Sequence, residues 1–275
     1  MKDTFIAVKT ATLKENLIEK YSKKHYRFLK NKNALFYLND SLIKPHEIVS
    51  KNDNIFIVYD DHQQKEEIEF DYTLDIVYEN DDFIVINKPR GLNTIPSRKE
   101  PQKSLYNALY TYLKKNDKLN TIHIITRLDK LTTGIVLCAL NKKSALFLNK
   151  NHSNMNKIYY AMVEGKVLND HFIIEKNIKK SNDSIKRIIS DDGSYAKTEV
   201  NVIKVFDDKT LCEIKLHTGR THQIRLHMKS IGHPVLGDSL YNDGDGNLHL
   251  HAKKLSFKGP DLKEYSFNIL PSWME

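Results

Sequence analysis

The hydrophobic pattern of the chain changes period along its length. Between Leu13 and Leu29, positions Leu17, Ile18, Tyr21 and His25 fall near the helical repeat, and Lys20, Lys23, Lys24, Arg27, Lys30 and Lys32 crowd the same stretch. Two short strand-like runs follow at 34–38 and 54–59, with Asn39-Asp40 and residues 50–53 as turns. Residues 61–67 contain no apolar side chain, so a linker is expected over 61–70, separating a small unit (1–60) from a larger one (71–275). In the larger part, runs at 74–78 and 83–86 flank Glu79-Asn80-Asp81-Asp82, a hairpin signal. Leu105, Ala108, Leu109 and Tyr112 recur at i, i+3, i+4 and i+7 behind Ser104, which predicts an N-capped helix through Lys114. Further strands are expected at 135–140, 157–164, 198–206, 211–217 and 249–257, with helices at 142–150 and 221–230. Many strands with few helices between them predict a mixed, mainly antiparallel α+β domain rather than a doubly wound one.

Composition narrows the class. The chain has 275 residues, 40% of them hydrophobic, with 14 Tyr and 11 Phe, enough for a sizeable core and too many for global disorder. Lys and Arg number 43 against 35 Asp and Glu, a net charge of +8 that favours encounter with polyanions. Charge alone does not name RNA, since a Lys-rich proteome gives the same balance. Cys138 and Cys212 each lie inside an apolar run, with no CxxC pair, so buried thiols in a reducing cytoplasm are expected. No apolar N-terminal segment and no membrane-spanning run of about 20 residues is seen, so a soluble, cytoplasmic protein without membrane contact is the expectation.

One polar connection stands out. Arg127-Leu128-Asp129-Lys130-Leu131-Thr132-Thr133-Gly134 joins the apolar run ending at Ile125 to the strand beginning at Ile135. Loops held by rigid strands commonly display catalytic groups, and Arg127 and Lys130 would keep a neighbouring carboxylate ionised. By local chemistry alone such a segment is more often a turn with a surface ion pair than an active site.

That segment resembles the signature of RluA-type pseudouridine synthases, and further segments match the family in order. These are Asn87-Lys88-Pro89-Arg90-Gly91-Leu92, then Lys157 through Gly165. After them come His217 through His227 with Ile231 through Asp238, and finally Leu250 through Phe257. The resemblance covers about 80–260 and implies the fold of a pseudouridine synthase catalytic domain. It implies Asp129 as the catalytic carboxylate, Tyr159 against the target base and Arg225 paired with Asp129. Ile224 and Leu255 would pack around the uracil, and Arg127, Lys88 and Arg220 would contact substrate or its loops. Residues 10–60 resemble the S-four RNA-binding module, with Lys23, Lys24, Arg27 and Lys30 as RNA contacts; a solvated basic helix satisfies the same pattern.

The implied reaction breaks the N-glycosidic bond of a uridine extruded from RNA and rejoins the ring through carbon 5. Asp129 would attack the ribose, remove a ribose proton or add to the uracil ring, and none of these routes needs a metal or organic cofactor. The chain departs from the family at Thr126 (commonly His), Leu131 (often acidic), Thr133 (often Ser) and Ile95 (commonly His). Ribosomal RNA of the large subunit is the favoured target because S-four-like modules accompany many such members, and a monomer is expected. A tRNA-directed enzyme, a non-catalytic ribosome-assembly protein and a glycosidic hydrolase are the competing readings; the last needs a second carboxylate that no motif supplies. His249 with His251, on one face of an expected strand, and His222 with His227 on a helix lack a third ligand for zinc. Asp243-Gly244-Asp245-Gly246-Asn247 imitates a calcium loop but lacks its Gly and its final Glu, which leaves a flexible, glycine-marked turn.

Overall fold

A computed structural model describes residues 2–31, 34–58, 68–118, 121–181 and 185–274. Its internal contacts divide it into two compact units, Met1–Glu67 and Ile68–Glu275. Residues 61–67 of the expected linker lie outside the described residues. Residues 68–70 run along a helix of the second unit, where the Ile68 carbonyl accepts from Asn107 and the Phe70 N–H donates to Thr111.

In the first unit, β1 (Lys2–Ile6), β2 (Ala11–Thr12), α1 (Leu13–Lys20), α2 (Lys23–Asn31), β3 (Leu35–Leu38), β4 (Ser41–Ile43), β5 (Ile48–Val49) and β6 (Asn54–Val58) follow one another. Four strands form an antiparallel sheet in the order β1-β6-β3-β4. The stretch with helical spacing, 13–29, holds two helices. Thr12 and Glu15 form a reciprocal capping box that starts α1. Ser22 then accepts from the His25 N–H through its hydroxyl and from the Tyr26 N–H through its carbonyl, which starts a second helix instead of continuing the first. Leu13, Leu17 and Leu29 from the helices meet Phe5, Phe36, Ile55 and Ile57 from the sheet in a closed core. Lys23, Lys24, Arg27 and Lys30 stay exposed along α2.

The second unit contains β7 (Ile76–Glu79), β8 (Phe83–Lys88), α3 (Leu105–Lys115), β9 (His123–Ile124), β10 (Thr133–Ala139), α4 (Lys142–Lys150) and β11 (Asn156–Glu164). It continues with β12 (His171–Glu175), β13 (Ile178–Lys180), β14 (Arg187–Ile189), β15 (Lys197–Val205), β16 (Lys209–Leu216), α5 (Gln223–Lys229), β17 (Leu250–Lys258) and β18 (Glu264–Asn268). Among the described residues, ten strands make one sheet whose main path is β12-β15-β16-β11-β17-β10-β8-β7, with β18 on β17 and β9 on β10. Every pairing but one is antiparallel; β10 and β17 run parallel. The unit is therefore α+β with a mixed, mainly antiparallel sheet. β8 and β10 are buried on both faces, which is why they read as unbroken apolar runs. Ile84, Ile86, Val136 and Cys138 face α3, whereas Phe83, Val85, Leu137 and Ala139 face α4, Leu255 and Phe257. Ser104 caps α3 and Asn141 caps α4, each accepting a backbone N–H three residues on.

The strands that the pattern does not predict (β1, β2, β4, β5, β9, β12, β13, β14 and β18) are short or half-exposed. β12 and β18 bury at most alternate residues, so their apolar signal is dilute.

Candidate active site

One row of residues across the centre of the sheet organises the site. Lys88 on β8 pairs with Gly134 on β10, Gly134 with Ala252 on β17, Ala252 with Tyr159 on β11, and Tyr159 with Ile214 on β16. Gly134 has φ +107°, and a Cβ there would meet the Ala252 carbonyl oxygen at 2.4 Å. Only glycine allows the two strands to approach so closely in this conformation. The parallel joint thus brings the loop before β10, which carries Asp129, beside the strand that carries Tyr159.

The loop is held from below. Thr94 donates its hydroxyl to the Leu128 carbonyl at 2.7 Å and accepts from the Leu128 N–H, while Gly91 donates to the Lys130 carbonyl. Lys88 is fully buried, and its ammonium donates to the carbonyls of Pro89 (2.8 Å), Leu92 (2.8 Å) and Lys130 (3.3 Å). Burial draws its pKa down to about 7, opposed by the charge of Asp129. Of the two contacts expected of Lys88, phosphate or loop, the geometry is that of a loop contact: its ammonium is spent on backbone carbonyls that shape the loop.

Arg225, on the buried face of α5, makes its two-pronged pair with Asp238, Nε to Oδ2 and Nη2 to Oδ1 both at 2.7 Å. Its remaining terminal nitrogen, Nη1, lies 3.6 Å from Asp129 Oδ2. The expected Arg225–Asp129 pair exists, but as the looser half of a three-member cluster. Burial alone would raise the Asp238 carboxyl; the Arg225 hydrogen bonds and charge, with the N–H groups of Leu240 and Tyr241, hold it below the usual range. His222 places Nε2 at 3.7 Å from the same Asp129 oxygen. Lys130, expected beside the carboxylate, pairs instead with Glu100, and Arg127 is exposed on the cleft wall.

Asp129 opens into a cleft of about 650 Å³ lined by Arg127, Tyr159, Arg220, His222, Ile224, Arg225 and Leu250, among others. That volume suits a small organic group such as a nucleoside. Among the described residues, Asp129 is the one carboxylate lining it. Tyr159 packs against the cores on both sides; burial and the Asp129 charge push its hydroxyl above the usual tyrosine range, so it stays protonated. Lys157, at the far wall, has the His152 ring and carbonyl as neighbours, and burial lowers its pKa to about 8. The Arg220 side chain donates to the Tyr195 carbonyl and remains exposed.

The expected place of Leu255 at the uracil is corrected: it is buried among Phe83, Ile125 and Phe257 and does not line the cleft, where Leu250 stands instead. A register shift in the β11–β17 pairing, between Ile158 and Tyr159, separates the two positions. Sequence reasoning misses Asp238, His222, Tyr241, Lys157 and Leu250 as site residues. All but Tyr241 lie inside the matched segments, yet nothing in local spacing says which side chains face the cleft. His249 precedes β17 and shares no strand face with His251, which is bonded to Thr133 and the Ile269 carbonyl. His227 is bonded to Thr198 and the Lys176 carbonyl. Among the described residues, no three His, Cys, Asp or Glu side chains group as metal ligands. The 243–247 turn folds tightly back on Gly237 and Asp238, leaving no room for a Cβ at Gly244, rather than making an open excursion. No helix among the described residues is long and apolar enough to cross a membrane.

Known proteins share this arrangement of sequence. A family model described as RNA pseudouridylate synthase matches residues 82–230. The chain is 36% identical over 197 residues to an uncharacterized RNA pseudouridine synthase, YjbO, of Bacillus subtilis, covering 70% of each chain. It is 31% identical over 271 residues to ribosomal large subunit pseudouridine synthase D of Borreliella burgdorferi, covering 93% of this chain and 78% of that one. Its fold is also similar to human RNA pseudouridylate synthase domain containing 4 (TM-score 0.61, 23% identity, 72% of this chain and 89% of the other).

Proposed function

The chain belongs to the RNA pseudouridylate synthase family and is an RNA pseudouridine synthase; on that premise we propose that Asp129 is its catalytic carboxylate and large-subunit ribosomal RNA its substrate. The observation that carries the assignment is the cleft itself. Among the described residues its single carboxylate, Asp129, meets Arg225, and Tyr159 lines the same space. A hydrolase working with two carboxylates finds no second one among them.

Isomerisation breaks the bond from ribose C1′ to N1 and forms one from C1′ to C5; N1 gains a proton and C5 loses one, so nothing is consumed. The uridine is extruded into the cleft, with the Tyr159 ring, Ile224 and Leu250 as apolar walls for the uracil. An ionised Asp129 serves as nucleophile or base toward the sugar, and Arg225 orients it. Arg225 is itself fixed by Asp238, so the guanidinium holds still while the carboxylate reacts. Arg127 and Arg220, both exposed, give the cleft mouth cations for the splayed backbone phosphates.

Ribosomal RNA is favoured because the Borreliella relative, whose name specifies the large subunit, aligns over enough of the chain to include the first unit. The basic face of α2 in that unit is the second RNA contact. The protein acts as a monomer in the cytoplasm.

Purified protein incubated with ribosomal RNA and tRNA lacking pseudouridine, followed by carbodiimide mapping, tests both parts. New sites are expected in large-subunit RNA, and Asp129→Asn should lower their formation by at least about 10²-fold. An Asp129→Asn protein as active as wild type would remove the carboxylate from its role; modification confined to tRNA would overturn the substrate.

A further inference from the structure

His222 occupies a left-handed backbone conformation (φ 58°, ψ 20°) just before α5. A non-glycine residue is held there only when its surroundings over-determine it, and such positions gather at functional sites. The Gln223 side chain accepts from Thr218 and from the Arg220 N–H, and donates to the Lys197 carbonyl and Thr198, which locks the turn on either side.

The hydrogen bonds around the ring fix where its proton sits. The Arg187 N–H, on β14, donates to the Tyr241 hydroxyl oxygen at 2.7 Å. That oxygen also lies 2.9 Å from His222 Nδ1. The hydroxyl proton needs an acceptor. Of its two hydrogen-bond neighbours among the described residues, the Arg187 nitrogen is a donor, so only Nδ1 can take it. A neutral imidazole that accepts at Nδ1 carries its hydrogen on Nε2, the atom 3.7 Å from Asp129 Oδ2.

Arg225 Nη1 approaches that same oxygen at 3.6 Å. Both donors converge on Oδ2. We infer that His222 is a positioning residue for Asp129: Tyr241 fixes it as the Nε2–H form, and it joins Arg225 in holding Oδ2 of the carboxylate in place. Catalytic hydrogen bonds are commonly long before substrate enters, and these two tighten when it does.

The charged and titratable groups facing the ring are Asp129 from its loop, Arg225 on α5, Arg187 on β14, and Asp238 and Tyr241 from the loop after Pro234. Burial lowers the imidazole pKa; Asp129 and Asp238 oppose this, and the two arginines reinforce it. The ring is therefore a neutral donor at neutral pH. A donor to a carboxylate favours its ionised form, and His222→Leu withdraws that donor. The acid limb of the kcat profile then moves to higher pH.

This inference rests on Asp129 being the catalytic carboxylate, and the experiment separates the two. His222→Leu removes the donor at similar size, whereas His222→Gln places an amide N–H where Nε2 lies. In His222→Leu, kcat on ribosomal RNA should fall about 10- to 100-fold with KM little changed and the acid limb shifted upward. His222→Gln should recover kcat to within roughly threefold of wild type and restore the limb. In the free wild-type protein, nitrogen-15 spectra of the ring should show the Nε2–H tautomer, and Tyr241→Phe should mix in the other one. An unchanged acid limb in His222→Leu, failure of a folded His222→Gln to rescue, or the Nδ1–H tautomer in wild type would each overturn the inference. If Asp129→Asn is inactive while the His222 variants match wild type, only the role of His222 falls. If Asp129→Asn is active, the reading beneath it falls.

Discussion

Asp238 presents its carboxylate to Arg225, and its influence on the reaction passes through that guanidinium. The carboxylate is fully buried and accepts two hydrogen bonds from Arg225 and two from backbone N–H groups. Asp238→Asn leaves a buried guanidinium short of its counter-charge, so stability should drop by about 3 kcal/mol or more. The pH dependence follows from the sign of the shift. The folded-state pKa of Asp238 is depressed, so its contribution is fully present above the unfolded value of about 4 and is lost as pH falls through the folded value. Urea denaturation of wild type and Asp238→Asn should therefore give curves that are far apart at neutral pH and converge in acid; a constant gap would show that the pair is not what Asp238 contributes. Its role was hidden in the sequence because Asp238 and Arg225 are thirteen positions apart, in a turn and a helix whose approach no local pattern encodes. Asp129 was equally a charged turn until motifs far along the chain were set beside it.

The elements that were legible are those whose chemistry is local. Ser104 with its i, i+3, i+4, i+7 apolar set produced α3, and Asn80, accepting from the N–H groups of Asp82 and Phe83, produced the β7–β8 hairpin. The boundary between α1 and α2 was written in Ser22, but a periodic reading passes over a cap placed within the run. The parallel pairing of β10 with β17 was not legible, since it joins segments more than a hundred residues apart. Gly134 is where that joint is most exposed to test. Gly134→Ala drives a Cβ into the Ala252 backbone in addition to straining φ, whereas Gly91→Ala, at φ +81° with open space around it, meets only the strain. Gly91→Ala should lower stability by about 1 kcal/mol. Gly134→Ala should lower it by roughly 3 kcal/mol or more and reduce kcat, because Tyr159 and the Asp129 loop are aligned through the same row. Thermal melts of the two variants side by side decide it: equal losses would mean that β10 and β17 can separate freely.

Across the whole molecule the net charge is +8, and exposed cations include Arg127 and Arg220 at the cleft and Lys23, Lys24, Arg27 and Lys30 on α2. RNA binding at such surfaces releases counterions, so the logarithm of affinity should fall linearly with the logarithm of salt concentration. Replacing Lys23, Lys24, Arg27 and Lys30 together by Gln should weaken ribosomal RNA binding and make that slope shallower by about 0.7 for each phosphate no longer neutralised. The kcat at saturating RNA should be unchanged, since none of the four lines the cleft. Filter binding over a salt series measures the slope; a quadruple variant with the wild-type slope would remove α2 from the RNA interface.

By itself the sequence determined the class of the fold, most helices and central strands of the larger unit, and the ordered motifs that assign it to its family. Each of these depends on neighbours in the chain or on segments recognisable one at a time. Tertiary structure alone decided that Arg225 divides itself between Asp238 and Asp129, that Lys88 is buried against carbonyls, that Leu250 rather than Leu255 reaches the cleft, and that His222 faces the carboxylate. The physical reason is common to all four. A side chain's partner is set by strand register, by one close approach at a glycine and by which face of the sheet it occupies, and these are properties of paired segments rather than of either segment alone.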